Sequence, residues 1–118
     1  MIEIKKAEDI SEQEFESKLE VYALKIDGVP ILYCAYKIEN GYVEIYDIKG
    51  DLSDAMLVDA IIRAVASYAE GRDAFLAKSK NEKIYDLLLP LGFKADEHNI
   101  YVTAACEHLL RHKCCGEG

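Results

Sequence analysis

Five residues near the C-terminus carry the side chains of a metal or redox site: Cys106, His108, His112, Cys114 and Cys115, in CEHLLRHKCC. His108 and His112 are four residues apart, so on a helix they share one face, and Cys115 follows three residues later. Thiolate and imidazole together suit zinc or a similar transition metal. The spacing matches no paired Cys-x-x-Cys framework, so an exposed amphipathic end with incidental thiols is the competing reading. Oxidation of such an end would crosslink two chains. Cys34, in LYCAYK, has no histidine near it in sequence and is expected to be a buried, inert thiol. Glu44 and Asp47, in YVEIYDI, have the chemistry of an acid or base, although solvated charge is the commoner fate of such carboxylates. Strand alternation puts Glu44 and Tyr46 on one face and Asp47 on the other. His98, in DEHNI, is expected in a loop with no task.

These residues need elements to position them. VYALKI, PILYCAYKI and YVEIYDI read as three strands, separated by Asp27-Gly28 and Asn40-Gly41. Asp-Gly and Asn-Gly supply the positive φ angles of tight hairpin turns, so the three strands form an antiparallel meander. Cross-strand pairing accounts for Tyr22, Tyr33, Tyr36, Tyr42 and Tyr46 within it. IEIKKA reads as a short first strand. The stretch after it reads as a helix capped by Asp9 or Ser11, with Ile10, Phe15 and Leu19 facing the core. Residues 52–71 hold the clearest helix. Ser53 is the expected N-cap and Gly71 the stop, with Met56, Leu57, Ala60, Ile61, Ala64, Val65 and Tyr68 on the buried face. Residues 73–79 read as a strand, 81–93 as a helix ending near Pro90 or Gly92, and 98–105 as a last strand. The whole is an α/β (α+β) sandwich, a mixed sheet with helices on its faces.

From Gly41 to Val102 the sequence resembles the GNAT acyltransferases. GYVEIYDI running into DAIIRAVASYA is similar to that family's fourth strand and cofactor-facing helix. SKNEKIYDLLLPLGF is similar to its Asn-containing loop and the helix ending in Leu-Gly-Phe, here Asn81, Leu91, Gly92 and Phe93, and NIYV fits its final strand. The resemblance implies a mostly antiparallel central sheet with helices on both faces. It also implies an acetyl-CoA or other acyl-CoA site at Ile48, Ser53, Asp54, Ala55, Met56 and Asn81, with the acyl carbonyl near Ile48. A single domain over residues 1–105 would then be followed by a Cys/His tail over 106–118.

The signature that opens the family's long helix carries glycines that let backbone amides cradle a diphosphate. Over Ser53 to Val58 no glycine falls, and Asp54 and Met56 stand at the glycine positions. A helix N-terminus attracts anions through its unpaired amides. Here Asp51 and Asp54 bring carboxylates to that end, and each would cost an arriving diphosphate on the order of 1–4 kcal/mol at about 4 Å. The family's acid, a Tyr four residues before the Gly of Leu-Gly-Phe, is replaced by Leu88. Tyr85 lies one turn earlier and is the substitute, with core packing the commoner fate of such a residue. Acyl transfer to an amine can use a base near the fourth strand, and Glu44 is the candidate there.

The 118 residues suit one domain, and about half are hydrophobic. A net charge of −8 argues against nucleic acid. No apolar run is long enough to span a membrane and no secretion signal opens the chain, so a cytoplasmic protein with reduced cysteines is expected. Three functions follow in order. The first is a GNAT-like binding or interaction module without efficient acetyl-CoA chemistry, with a homodimer as one form and a protein or small molecule as partner. The second is an N-acyltransferase with an atypical phosphate grip. The third is a zinc- or redox-responsive protein acting through its tail.

Overall fold

The computed structural model describes residues 1–6, 19–98 and 100–111. Its strands are β1 (Ile2–Lys6), β2 (Glu20–Ile26), β3 (Val29–Glu39), β4 (Tyr42–Gly50), β5 (Leu76–Ser79), β6 (Lys94–Ala95) and β7 (Val102–Ala105). They form one sheet in the order β1-β2-β3-β4-β5-β7-β6. Among the described residues only the β4–β5 pairing is parallel. The meander is present, and Asp27-Gly28 and Asn40-Gly41 all have positive φ, from 51° to 84°, as two-residue hairpins require. The helix expected between β1 and β2 lies outside the described residues, apart from Leu19, which is buried.

Helix α1 (Ala55–Glu70) crosses from β4 to β5. Its cap is Asp54, not Ser53, and its buried face is Val58, Asp59, Ile61, Ile62, Val65, Ala66 and Ala69. Met56, expected inside, is 59% exposed. The helix is apolar nearly all round, so periodicity alone selects no single stripe, and the sheet decides which one it covers. Residues 81–93 do not form one helix. A 3-10 turn (Glu82–Ile84), helix α2 (Tyr85–Leu88) and a second 3-10 turn (Leu89–Leu91) follow one another. Pro90 has no amide to continue the ladder, and Gly92 at φ 110° ends it. Strand β5 starts only at Leu76, after Asp73 turns the chain at φ 62°. β6, two residues long, carries too short a pattern to be read from sequence. β7 starts late because the Asp96 carboxylate accepts amides from His98 and Ile100 and holds that loop in a turn.

Helix α3 (Cys106–Arg111), at the start of the stretch expected as a tail, follows β7 and buries Cys106 and Leu109. Arg63 of α1 fastens it by donating to the Leu110 carbonyl at 3.0 Å. Apolar residues of α1, α3 and the turns over 82–91 join Leu24, Leu32, Cys34, Tyr36, Val43 and Ile45 in one core on one face of the sheet. The other face holds a smaller cluster, Leu19, Val21 and Ala35, flanked by Tyr33 and Tyr46.

Candidate functional site

The outer edge of β4 changes partner along its length. Gly41 accepts the Phe75 amide, and Tyr42, Val43 and Glu44 pair with Leu76, Ala77 and Lys78. Backbone pairing with β5 stops there. The next carbonyl, Ile45, accepts the Ser79 hydroxyl at 2.8 Å, and that of Tyr46 accepts Asn81 Nδ2 at 2.8 Å. Two successive carbonyls can face the same side because the β3–β4 register slips between Ala35 and Tyr36, leaving Tyr46 as an extra residue. The same bulge corrects the expected placement of Asp47. It stands opposite Ala35 and so shares a face with Tyr46. The strands therefore part just after Glu44, and side chains of Ser79 and Asn81 lace the opening.

Ile48 is buried at the inner end of this split, and its amide bonds Asp47 Oδ1 at 2.8 Å. The backbone amide at the residue near which the acyl carbonyl is expected thus already has a carboxylate acceptor. Beyond it, Gly50 at φ 122° lets the chain press against β3. A Cβ there would lie 2.1 Å from the Ile31 carbonyl oxygen, which also takes the Asp51 amide.

Ser53, Asp54, Ala55 and Met56 are exposed together at the start of α1. Asp54 Oδ1 accepts the Met56 amide at 2.9 Å, and the Asp54 carbonyl accepts those of Leu57 and Val58. Asp51 takes both the hydroxyl and the amide of Ser53, at 2.6 and 3.1 Å, and these bonds hold its pKa below the usual carboxylate value. The expected carboxylates are at the helix mouth, with Ser53 serving Asp51 instead of an α1 amide. Asn81, besides its bond to Tyr46, caps the turn over 82–84 by accepting the Lys83 amide at 3.0 Å.

Glu44 is 8% exposed, and no hydrogen bond or ion pair engages its carboxylate among the described residues. Lys37 and Lys78 stand directly across from it on the neighbouring strands. Tyr85 donates its hydroxyl to the Ile100 carbonyl at 3.1 Å, tying the loop before β7 to α2. Burial, with the charges of Glu82 and Asp96, raises its pKa above the usual phenol value. Leu88 is wholly buried.

Of the Cys/His set only Cys106 and His108 are described. Cys106 points into the core, where burial and the Glu70 charge push its thiol up to about 11. His108 is on the exposed side of α3, with its ring against Gly92. A Cβ at Gly92 would meet His108 Nε2 at 2.5 Å, so the glycine of Leu-Gly-Phe serves close packing as well as the left-handed turn. His112, Cys114 and Cys115 lie outside the described residues. Among the described residues no three His, Cys, Asp or Glu side chains gather as a metal site. Cys34 is buried, and burial and Asp47 raise its thiol further, in keeping with an inert role. The bulge, the Ser79 lacing and the Asp47–Ile48 bond were not legible as site features. Ser79 is separated from Asn81 by one residue and is its only sequence signal.

No protein-family model and no curated sequence matches the chain. Solved structures do. The ribosomal-protein-S18-alanine N-acetyltransferase from Escherichia coli superposes with a TM-score of 0.68 at 12% identity, over 90% of this chain and 94% of that one. A candidate N-acetyl transferase from E. coli, YhhK, bound to coenzyme A, gives 0.67 at 9% identity, over 89% and 98%. The AtaT toxin, bound to the C-terminus of the antitoxin AtaR and acetyl-CoA, gives 0.60 at 16% identity, over 92% and 96%. With the strand order, the parallel β4–β5 pair and the split after Glu44, these likenesses identify the architecture: the chain has the fold of the GNAT acetyltransferases.

Proposed function

We propose that this GNAT-fold domain is a binding or interaction module of the cytoplasm and lacks efficient acetyl-CoA-dependent transfer. The observation that carries the reading is the bond from the Met56 amide to Asp54 Oδ1 at 2.9 Å. The first turn of α1 is served by its own carboxylate, and Asp51 adds a second negative charge within the same loop. A diphosphate would have to displace one acid and approach the other. The Asp47 carboxylate on the Ile48 amide supports the reading at the acyl end of the split. A protein partner fits such a module, as the AtaT toxin takes an antitoxin. A homodimer is a further form it could take.

Thermal unfolding with excess acetyl-CoA tests this. A ligand at 100 times its dissociation constant adds about 2.7 kcal/mol. For a domain of this size that raises Tm by on the order of 10 °C. The expected result is no rise. A clear rise, with coenzyme A released on turnover of an amine, would establish the alternative, an N-acyltransferase with an atypical phosphate grip. One observation favours that alternative. Glu44, 8% exposed and without a hydrogen bond or ion pair among the described residues, lies where β4 and β5 part, a place from which a carboxylate could take a proton from an amine.

A further inference from the structure

Five side chains stand in one row across the face of the sheet opposite α1 and α3. The register sets Lys37 beside Glu44, Glu44 beside Lys78, Lys78 beside Thr103, and Thr103 beside Lys94, across β3, β4, β5, β7 and β6. At roughly 4.8 Å between strands the row is about 19 Å long. That is the reach of about six extended residues. Lys78 Nζ is sandwiched between the rings of Tyr42 and Tyr101, 3.7 and 4.3 Å from their centroids, and Lys80 Nζ lies 6.0 Å from the Tyr101 ring. Lys80 and Lys94 are exposed and form no ion pair among the described residues. Leu76, 41% exposed, sits one row over between Tyr42 and Ala105. The described helices all pack on the other face.

Beyond β4 the charge opposes that of the molecule. The chain carries −8, yet the charged side chains of β5, β7 and β6 are lysines alone, whereas on β3 and β4 the same face carries Glu44 between Lys37 and Lys78, Asp47, and Glu39 paired with Lys37 at 2.7 Å. We propose that this face docks an extended acidic segment of another protein, laid across the strands. Its carboxylates would meet Lys78, Lys80 and Lys94, and its apolar or aromatic side chains would meet Leu76, Tyr42 and Tyr101. Tyrosine and exposed apolar area supply contact at low conformational cost, and the lysines supply steering and register. A nucleic acid fits less well, because so few ammonium groups on a strongly acidic chain leave a phosphate backbone repelled at long range. The inference builds on the domain being an interaction module, but acetyl-CoA binding and docking at this face are measured separately, so either can fail alone.

The test is fluorescence anisotropy with a labelled ten-residue peptide of glutamates interspersed with tyrosine and leucine. Its counterparts are the same peptide with lysine for glutamate and an oligothymidine of equal length. The acidic peptide is expected to bind saturably and to weaken several-fold between roughly 50 and 300 mM salt. It is expected to lose about tenfold in affinity with K80E/K94E and less with K80Q/K94Q, both on the surface and both melting like the parent. Absence of saturable binding overturns the proposal, as does equal affinity of K80E/K94E or of the lysine peptide or oligothymidine. A dimer in sedimentation that K80E/K94E abolishes also overturns it, since a second copy would then own the face.

Discussion

β4 has two seams, and they are closed by different means. Against β3 it is paired along its length, from Tyr42 opposite Glu39 to Gly50 opposite Leu32, with one bulge. Against β5 the backbone pairs only over Tyr42 to Glu44, and beyond that Ser79, Asn81 and Asp47 occupy the polar groups of the edge. A backbone ladder hardly depends on which side chains it carries, provided they pack. A side-chain seam depends on a few identities. The split that distinguishes this fold is therefore under direct control of three residues, while the seam beside it is rigid scaffold.

Four substitutions probe that contrast. Gly50→Ala strikes the backbone seam, where φ is 122° and the new methyl would lie 2.1 Å from a carbonyl oxygen. It should cost about 3–5 kcal/mol in denaturant unfolding, and a loss under about 1 kcal/mol would show the seam to be compliant. Ser79→Ala strikes the laced seam and leaves the Ile45 carbonyl without its donor, at a cost of about 1–3 kcal/mol. Asn81→Ala should cost a similar amount through the Tyr46 carbonyl and the cap over 82–84. The double variant should be non-additive, because the Asn81 backbone amide donates to Ser79 Oγ at 3.2 Å, so loss of either side chain shifts the segment that holds the other. Asp54→Ala removes the cap of α1 at the mouth of the split, for about 1 kcal/mol, with faster hydrogen exchange at Met56 as its local sign.

The smallest effect is far from both seams. Burial alone would raise the Glu20 carboxyl, but Lys6 at 2.7 Å outweighs it and holds it below the usual range. A depressed carboxyl stabilises the fold above its unfolded value, near pH 4.3, and that contribution is lost as pH falls through the lower folded value. Glu20→Gln should therefore cost under about 1 kcal/mol at pH 7 and flatten the stability profile below about pH 4.5. An unchanged acid limb would show that the pair contributes nothing.

Much of the scaffold was legible because its signals are local. Asp27-Gly28 and Asn40-Gly41 dictate hairpins through φ, and the long apolar stretch after Ser53 dictates a helix. The Leu-Gly-Phe glycine was legible as a stop, but its contact with His108 was not. Where the pattern was too uniform, the reading slipped. α1 is apolar enough that Met56 and Val58 were equally fit to be inside, and Val58 is. Where the pattern was too short, as in Lys94–Ala95, nothing could be read. The negative helix mouth was legible as composition, in Asp51 and Asp54, whereas the division of labour between them was not. Asp54 takes the amide expected of Ser53, because only the chain's entry from Gly50 sets which residue occupies the cap.

Sequence alone determined the strand meander, the crossover helix and the presence of acids at its start, since turn φ preferences, periodicity and charge act over a few neighbouring residues. Tertiary structure alone decided that β4 bulges at Tyr46, that Asp47 turns its carboxylate onto the Ile48 amide, and that Lys37, Glu44, Lys78, Thr103 and Lys94 form one row. The physical reason is register: which residues face one another across a sheet depends on pairing between segments far apart in the chain, and a one-residue slip moves every later side chain to the other face.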